Sequence, residues 1–184
     1  MEIEIRDIDE QTVKQLLPPC NSCLYWEAPE KYGKDEKGEP KTSKDEAIII
    51  KQGWFKNTGN TFGSCGKILC IDGKAAGYIR YAPSHLFEKV AEYSRELFPP
   101  SPDALLLSCL HIQSEYREKG LGTRLLQTVL EDLRGRGCQA VETYSRDDTN
   151  GSSGPTVLYL ENGFRVLKKK KWNNAAYSLV RLDF

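Results

Sequence analysis

The chain has 184 residues, of which 39% are hydrophobic and 28% charged, so it is long enough for one domain with a sizeable core. Lysine plus arginine and aspartate plus glutamate both total 26, which leaves no net charge and excludes the basic excess of a general nucleic-acid binder. No apolar run is long enough to cross a membrane, and the N-terminus alternates charged and apolar side chains, unlike a signal peptide. We therefore expect one cytoplasmic domain, residues 1–184, that binds neither nucleic acid nor a membrane.

The first part of the chain predicts a strand and two helices, with an exposed loop between the helices. These elements are a strand at residues 2–7, a short helix near residues 10–17, a loop at residues 28–43 and a helix from Ser43 to about Lys56. The strand alternates polar and apolar side chains, and the loop is rich in lysine, glutamate, glycine and proline. Ser43 and Glu46 have the spacing of a capping box, which satisfies N–H groups at the start of a helix.

The middle of the chain predicts a β-hairpin followed by a helix. Residues 67–72 and 75–81 are strand-like, and Asp72-Gly73 between them is typical of a hairpin turn. Residues 84–98 have a helical pattern that ends at Pro99-Pro100, because proline cannot continue a helix.

The second half of the chain predicts a buried strand, an amphipathic helix and a closing set of strands. Residues 105–112 form a nearly continuous apolar run, which is typical of a strand buried on both faces. The next helix opens at Gly120 and carries leucine and valine at helical spacing as far as Leu133. We also expect a strand at residues 138–144, a short helix at 155–161, and strands at 164–167 and 177–182. The four lysines Lys168–Lys171 are interpreted as a solvated strand end or turn. The order predicts a single α/β domain with a mixed, largely antiparallel sheet flanked by helices.

Residues 117–123, Arg-Glu-Lys-Gly-Leu-Gly-Thr, lie between the buried strand and this helix. The first turn of a helix has backbone N–H groups without partners, and these groups attract an anion. Glycine has no Cβ atom to block the approach of the anion, and Arg117 and Lys119 add positive charge. The third glycine of a dinucleotide fingerprint and the Gly-Lys-Ser/Thr end of a nucleotide triphosphate loop are both missing. The turn therefore predicts a site for the pyrophosphate of another cofactor.

The run from Ile112 to Gly122 resembles motif A of the GCN5-related N-acetyltransferases, whose signature is Arg/Gln-x-x-Gly-x-Gly/Ala. The run Leu158–Phe164, Leu-Tyr-Leu-Glu-Asn-Gly-Phe, resembles the family's second landmark, a short helix that carries a tyrosine and ends in Gly-Phe. The resemblance covers residues 104–167 and implies that acetyl-CoA is the cosubstrate. It also implies that the fourth strand splays from the fifth and admits the pantetheine arm. The residues expected at the cofactor are Leu110, His111, Ile112, Arg117, Glu118, Lys119, Gly120, Leu121, Gly122 and Thr123.

The implied activity is transfer of the acetyl group to a primary amine by direct attack in a ternary complex. Tyr159 would stand near the cofactor sulfur, where its hydroxyl would act as the acid for the thiolate leaving group. The Ile112 N–H would meet the developing oxyanion. Some relatives use a glutamate on the fourth strand as general base, but that strand contains no carboxylate here. Glu142 on the next strand is the best-placed substitute, ahead of His111 and Asp103.

Cys20 and Cys23 form a Cys-x-x-Cys that follows two prolines, unlike a redox motif at the start of a helix. A zinc site needs four ligands, and no second pair of this spacing exists, although Cys65, Cys70 and His85 are available as partners. We expect structural or pocket-lining cysteines and no metal. In the family that the chain resembles, the segment after the first strand lines the acceptor side. The residues expected to form the substrate walls are Tyr25, Trp26 and Trp54.

Two other functions stay open from the sequence. The missing strand carboxylate is the reason to consider a non-catalytic domain that holds acetyl-CoA as a sensor or scaffold, and the retained Tyr159 argues against it. A metal- or thiol-based redox protein is the third possibility. The acceptor is open between a small-molecule amine and a peptide amine, and the sequence is compatible with a monomer or a homodimer.

Overall fold

The computed structural model of the chain describes residues 2–148 and 153–184. Its strands are β1 (Ile3–Asp7), β2 (Gly66–Ile71), β3 (Lys74–Pro83), β4 (Ala104–Ile112), β5 (Ala140–Arg146), β6 (Arg165–Trp172) and β7 (Ala175–Asp183). Its helices are α1 (Lys44–Phe62), α2 (Val90–Glu96), α3 (Leu121–Gly135) and α4 (Thr156–Glu161), and 3-10 turns lie at Thr12–Gln15, Pro29–Lys31, Ser84–Leu86 and Ser114–Tyr116. No helix among these residues is both long and apolar enough to span a bilayer.

The seven strands form one sheet in the order β1-β2-β3-β4-β5-β7-β6. Of the neighbouring pairs described, β4 and β5 alone run parallel, and the other pairs are antiparallel. The predicted α/β fold with a mixed, largely antiparallel sheet is therefore confirmed. The parallel pair arises because α3 carries the chain from the end of β4 back to the start of β5, as a crossover must.

Helix α1 begins where the sequence predicts and ends later. The Ser43 hydroxyl accepts from the Glu46 N–H at 3.2 Å, which confirms the cap. The helix continues to Phe62 because its buried face continues through Phe55 and Thr58. It ends at Gly63, whose φ of 93° lies in the region that favours glycine.

The two other helices predicted before β4 are shorter than expected. The segment at residues 10–17 is only the 3-10 turn Thr12–Gln15. The segment at residues 84–98 is divided into the turn Ser84–Leu86 and α2. Phe87 separates these two pieces in an extended conformation, because its side chain is buried against aromatic neighbours and anchors the chain there.

Two hairpin turns connect neighbouring strands, and the sequence analysis identified one of them. Asp72 and Gly73 both have positive φ, 46° and 78°, as a two-residue hairpin turn requires. The turn between β6 and β7 is Asn173-Asn174, with φ of 48° and 62°. Asparagine tolerates this conformation better than most residues, so the pair was a usable signal that the prediction missed.

The four lysines at residues 168–171 lie inside β6, whereas the sequence analysis placed them at a strand end or turn. Among the strands that the structure describes, β6 is the edge strand next to β7, so its outer side has no strand neighbour there. Lysines on such a strand prevent another chain from pairing with the exposed edge. The charge run therefore belongs to the sheet and protects its border.

The core has a layer on each face of the sheet. Leu125, Leu126, Val129 and Leu133 of α3 are fully buried against one face, which confirms the predicted amphipathic helix. Each such side chain contributes about 1.5–3 kcal/mol by leaving water. The other face is covered by α1, α2 and the N-terminal loop, with Trp26 among its buried side chains. This second layer carries one side of the cleft described next.

Candidate active site

A V-shaped gap opens between β4 and β5 because their parallel pairing stops at Leu106 and Glu142. Both strands continue beyond this point, β4 to Ile112 and β5 to Arg146. The Thr143 hydroxyl donates to the Leu107 carbonyl at 2.8 Å and holds the strands together where they begin to separate. The splayed strand pair implied by the sequence resemblance is therefore confirmed.

Ser153 fills the vertex of the gap. Its hydroxyl lies 3.0 Å from the Tyr144 carbonyl on β5 and 3.4 Å from the Ser108 carbonyl on β4. The residue is buried, and its own carbonyl accepts the phenol of Tyr159. Side-chain hydrogen bonds thus replace strand pairing at this point. The sequence analysis missed Ser153, because a serine in a polar loop carries no pattern that distinguishes it.

Beyond the vertex, alternate residues of β4 turn their backbone polar groups toward the gap. The Gln113 N–H donates to the Ala76 carbonyl of β3 at 2.9 Å. Because an antiparallel ladder alternates, the groups of Leu110 and Ile112 point to the opposite side. Arg117 agrees with this direction, since its Nε donates to the Ile112 carbonyl at 2.8 Å. The N–H groups of Leu110 and Ile112 are thereby presented to the gap.

The loop that leads into α3 presents further N–H groups at the mouth of the gap. Glu118 and Gly120 have φ of 60° and 73°, which turns the chain sharply into the helix. The first intrahelical bond runs from the Arg124 N–H to the Gly120 carbonyl at 3.0 Å. The N–H groups of residues 120–123 therefore have no acceptor within the helix. This is the arrangement that binds phosphate groups at helix N-termini.

The backbone of this turn is open at Gly120. A Cβ built on Gly120 meets no atom within 4 Å, so the space beside the backbone is open. Gly122 lies against Leu110 and Leu158, with its Cβ position 3.7 and 3.9 Å from their side chains, so the helix start is close to β4. Lys119 turns away, because its Nζ donates to the Glu115 carbonyl at 2.9 Å. Backbone donors and Arg117 are thus the groups placed to hold phosphate oxygens.

One cleft of about 900 Å³ runs from this turn along the gap. Its volume suits a cofactor and a small acceptor. Of the residues predicted to form the substrate walls, Tyr25 and Trp26 line the cleft and Trp54 does not. Of the predicted cofactor residues, Lys119 does not line it. The predicted cofactor residues that line it are Leu110, His111, Ile112, Arg117, Glu118, Gly120, Leu121, Gly122 and Thr123.

Trp54 lies behind the cleft wall, next to a buried charged group. Its Nε1–H donates to the Leu86 carbonyl at 2.8 Å, and its ring stacks on Phe87 with centres 5.1 Å apart. The guanidinium carbon of Arg80 lies 5.1 Å from the centre of the Trp54 ring. Trp54 therefore supports the wall from behind, and the sequence pattern could not separate this position from a cleft-facing one.

Three charged side chains, Glu27, Lys51 and Arg80, form a buried cluster in this layer, each of them almost fully removed from solvent. The Glu27 carboxylate accepts from the Lys51 Nζ and, at 2.9 Å, from an Arg80 terminal nitrogen. Burial by itself raises the pKa of Glu27, but Arg80 and Lys51 outweigh that effect and lower it below its usual range. The sequence analysis missed the cluster, although Lys51 on the buried face of α1 and Arg80 inside an apolar strand were signals.

Tyr159, the predicted acid, is fully buried beside the vertex of the gap. Its phenol donates to the Ser153 carbonyl, and its ring meets Phe164 edge-on with centres 5.2 Å apart. Burial raises the pKa of Tyr159, so the phenol stays protonated at any working pH. The neighbouring Leu158 lines the cleft, whereas Tyr159 lies one layer deeper, behind Ser153.

Glu142, the predicted base, lies below the vertex in the section where the strands still pair. Its carboxylate accepts from the Ser101 N–H at 2.8 Å and from Arg181 at 3.1 Å, and it is fully buried. Asp103 is held by the same Arg181 at 2.7 Å, which lowers its pKa. Neither carboxylate lines the cleft, because both face Arg181 on β7 at the other end of β4. Their positions give the predicted base role no support.

His111 is the imidazole on the cleft wall. It lies on β4 beyond the vertex and is half-buried. Burial, and then the nearby Arg117 charge, lower its pKa below the ordinary value of 6.5. His111 is therefore neutral at pH 7, so it can accept a proton there.

Two of the six cysteines, Cys23 and Cys109, line the cleft. Burial raises the pKa of Cys20 to about 11 and also raises that of Cys23, so both thiols are protonated at neutral pH. Within residues 2–148 and 153–184, no group of three or more histidine, cysteine, aspartate or glutamate side chains is placed to hold a metal. The expectation that the cysteines are structural or pocket-lining stays a prediction.

A splayed parallel strand pair with a helix N-terminus at its mouth defines the class of protein as an acyltransferase domain. Residues 21–164 match the family model described as the acetyltransferase (GNAT) family. The chain therefore belongs to the GNAT acetyltransferase family, which confirms the resemblance seen in the two sequence landmarks.

Similar proteins agree with this assignment. "Probable N-acetyltransferase camello" of Xenopus tropicalis is 30% identical over 102 residues, which is 55% of this chain but only 39% of that protein. The PaiA N-acetyltransferase of Thermoplasma acidophilum, solved in complex with coenzyme A, is 15% identical, with a TM-score of 0.61 over 100% of both chains. The yncA protein of Salmonella typhimurium, solved with its cofactor acetyl-CoA, is 15% identical, with a TM-score of 0.63 over 100% of this chain and 94% of that one. At such identities the two structures show a shared fold.

Proposed function

We propose that this protein transfers the acetyl group of acetyl-CoA to a primary amine, by direct attack in a ternary complex. The observation that carries the proposal is one cleft that joins the open edge of β4 to the N-terminus of α3. Similar structures with coenzyme A or acetyl-CoA bound support the choice of cosubstrate. The proposal includes a small-molecule or peptide acceptor and a cytoplasmic monomer or homodimer.

The cofactor would be held mainly by backbone groups. The N–H groups of residues 120–123 would bind the pyrophosphate, because they lack acceptors in the helix. Arg117 uses Nε for the Ile112 carbonyl, and its guanidinium retains further donors for phosphate oxygens. The pantetheine arm would lie along the open edge of β4 and pair with the groups of Leu110 and Ile112. The acetyl carbonyl would then be near the N–H groups of that edge, which stabilise a developing oxyanion.

The amine must lose a proton before its lone pair can attack the thioester. Among the described residues that line the cleft, His111 is the neutral imidazole with a lowered pKa, and we assign it the role of general base. Its position beyond the vertex distinguishes it from Glu142, whose carboxylate is engaged by Arg181 below the vertex. The proton would pass from the amine to the imidazole and then to solvent.

Tyr159 stays the proposed acid for the leaving thiolate. Burial raises its pKa, so the phenol is protonated at neutral pH and is a hydrogen-bond donor when charge appears on sulfur. In the structure the phenol donates to the Ser153 carbonyl, so protonation of sulfur requires that it leave this acceptor. Hydrogen bonds of catalytic groups commonly rearrange when substrates bind. Ser153 would therefore hold the phenol in position until the cofactor is present.

An acetyl-CoA turnover assay by thiol release, against a library of amines, tests the activity. The cofactor site is tested by Gly120→Val, which we expect to weaken CoA binding by about tenfold or more, equal to about 1.4 kcal/mol. Gly137→Val is the matched control, because Gly137 at the other end of α3 also has positive φ, 75°, and open space around its Cβ position. Equal CoA affinity of the two folded variants, measured by calorimetry, would place the pyrophosphate elsewhere.

A non-catalytic sensor or scaffold that holds acetyl-CoA is the second candidate. The observation in its favour is that both candidate carboxylate bases are engaged by Arg181 away from the cleft. The two functions differ in outcome: a sensor binds CoA tightly and releases no thiol with any amine, whereas a transferase shows acceptor-dependent thiol release.

A further inference from the structure

The end of the cleft away from α3 is walled by aromatic side chains from separate parts of the chain. We call it the aromatic end, and it consists of Tyr25, Trp26, Tyr32, Tyr93, Tyr144 and Tyr177. The rings pack on one another: Trp26 stacks on Tyr144 with an interplanar angle of 18°, and Tyr93 meets Tyr177 edge-on. Such an interlocked set is rigid, so it presents a preformed apolar surface rather than one shaped by the ligand.

Three hydroxyls of the aromatic end are engaged within the protein. The phenols of Tyr25 and Tyr93 lie 2.9 Å apart and bond to each other. The Tyr144 hydroxyl donates to the Phe98 carbonyl at 2.5 Å, outside the cleft. The surface therefore offers rings more than polar groups, which suits an aromatic or large apolar ligand.

The aromatic end is not a receptor for a cation, although aromatic cages often are. The Lys89 Nζ already lies 4.7 Å from the centre of the Tyr25 ring, and the Arg146 guanidinium carbon lies 5.5 Å from that of Tyr177. Of the described residues that line the cleft, the charged ones are Arg117 and Glu118 near α3 and Arg146 at the aromatic end. A polyamine would meet the positive charge of Arg146 there and, among the described residues, no carboxylate that lines that end.

Arg146 combines two properties that point to an anionic group on the ligand. It pairs with Asp148 through a terminal nitrogen at 2.6 Å, but its Nε is buried and has no hydrogen-bond partner in the part of the chain that the structure describes. A buried donor without an acceptor is costly. Nε itself is enclosed, but the Arg146 side chain lines the cleft and is 22% exposed, so a ligand acceptor can reach this side chain. An Arg donor is best matched by a carboxylate oxygen.

The position of Arg146 also relates it to the reacting centre. Leu110 and Arg146 each lie four residues beyond Leu106 and Glu142, the last paired residues of the two strands. On the side away from β7, Arg146 bridges to Pro155, and both residues line the cleft. Arg146 thus lies on the strand opposite the expected pantetheine path. A carboxylate bound to Arg146 would leave an amine on the neighbouring carbon close to the thioester.

We propose that the acceptor is an aromatic α-amino acid, whose ring lies in the aromatic end and whose carboxylate binds Arg146. This inference rests on the proposed acetyl transfer and names its acceptor class. The acetyl carbon moves from sulfur to the α-nitrogen, the nitrogen loses one proton and the sulfur gains one. The products are the N-acetyl amino acid and free CoA.

Matched acceptors test the carboxylate contact. L-phenylalanine is compared with 2-phenylethylamine, and L-tryptophan with tryptamine, which differ only in the carboxylate. We expect the amino acids to have a kcat/KM higher by about tenfold to a hundredfold, the worth of one charge-assisted hydrogen bond. Arg146→Gln should abolish this difference by raising KM for the amino acids only. Arg165→Gln, which changes an exposed arginine on β6, is the control and should leave the ratio unchanged.

Other outcomes overturn the inference while the transferase proposal survives. These are equal use of the decarboxylated amines, preference for spermidine or for phenylalaninamide as a peptide mimic, or an unchanged ratio in Arg146→Gln with normal CoA affinity. Calorimetry of L-tryptophan binding to the CoA-saturated protein separates the two proposals. Binding that is lost in Arg146→Gln supports the acceptor site even if no amine is acetylated. Absence of L-tryptophan binding to the wild-type complex rejects it.

Discussion

The buried Glu27–Lys51–Arg80 cluster gives the sharpest prediction about stability. Glu27→Gln removes one negative charge and leaves two cations buried without compensation. Removing one partner of a buried ion pair typically costs about 3–5 kcal/mol. A domain of this size has a total stability of about 5–15 kcal/mol, so the loss is a large part of it. The corresponding fall in Tm is about 6–20 °C at about 2–4 °C for each kcal/mol.

The charge balance of the cluster also predicts an order among variants. Lys51→Met leaves Glu27 paired with Arg80 at 2.9 Å, which is a neutral pair, and it replaces the lysine by an apolar chain of similar length. We therefore expect Lys51→Met to cost less than Glu27→Gln. Arg165→Gln is the control, because the Arg165–Asp183 pair is largely exposed, so water and salt screen it and its loss should change stability little.

Urea denaturation of the three variants measures the free energy of unfolding directly. The pKa of Glu27 is lower in the folded chain than its ordinary value of 4.5. The stability that it contributes is therefore present above about pH 4.5 and is lost as pH falls through the folded pKa. The difference between wild type and Glu27→Gln should narrow below about pH 4.5. A loss equal to that of Arg165→Gln at pH 7 would refute the reasoning.

Two further predictions concern the buried phenol and the thiols. Tyr159→Phe should lower kcat by about a hundredfold with little change in acetyl-CoA affinity. It should also lower the free energy of unfolding by about 1–3 kcal/mol, because the Ser153 carbonyl loses its donor. A folded variant with kcat within about threefold of wild type, when chemistry is rate-limiting, would leave Tyr159 only the role of supporting Ser153. Since its pKa is about 11, Cys20 should react slowly with iodoacetamide at pH 7.5 and faster as the pH approaches that value. Rapid labelling of Cys20 at pH 7.5, seen by peptide mass analysis, would contradict its assigned burial.

Local sequence patterns predicted most of the fold because the relevant signals are short-range. The cap at Ser43, the turn at Asp72-Gly73 and the apolar face of α3 each depend on neighbours within one or two turns of chain. The elements that failed have long-range causes. Phe87 interrupts a helical pattern because its side chain packs against tryptophans distant in sequence, and no local pattern encodes that contact.

The site residues also divide into those set by local sequence and those set by distant packing. The turn at residues 117–123 is local, so both its position and its open backbone were predictable. The vertex residue Ser153 and the buried Arg80 are defined by what packs around them, across intervals of tens of residues. Arg146 is partly predictable. Its place at the end of β5 follows from the local pattern, but the lack of a hydrogen-bond partner for its Nε depends on the packing around it.

The position of Glu142 depends on one quantity that the sequence does not contain, the residue at which strand pairing stops. Below Leu106 and Glu142 the two strands share hydrogen bonds, and side chains there face the supporting layers, as the Glu142–Arg181 pair does. Beyond that point the backbone of β4 is open and a ligand can enter. Strand residues that act on a thioester must therefore lie past the vertex, at the ends of β4 and β5. His111 on β4 and Arg146 on β5 meet this condition, so the search for base and acceptor contacts belongs with them.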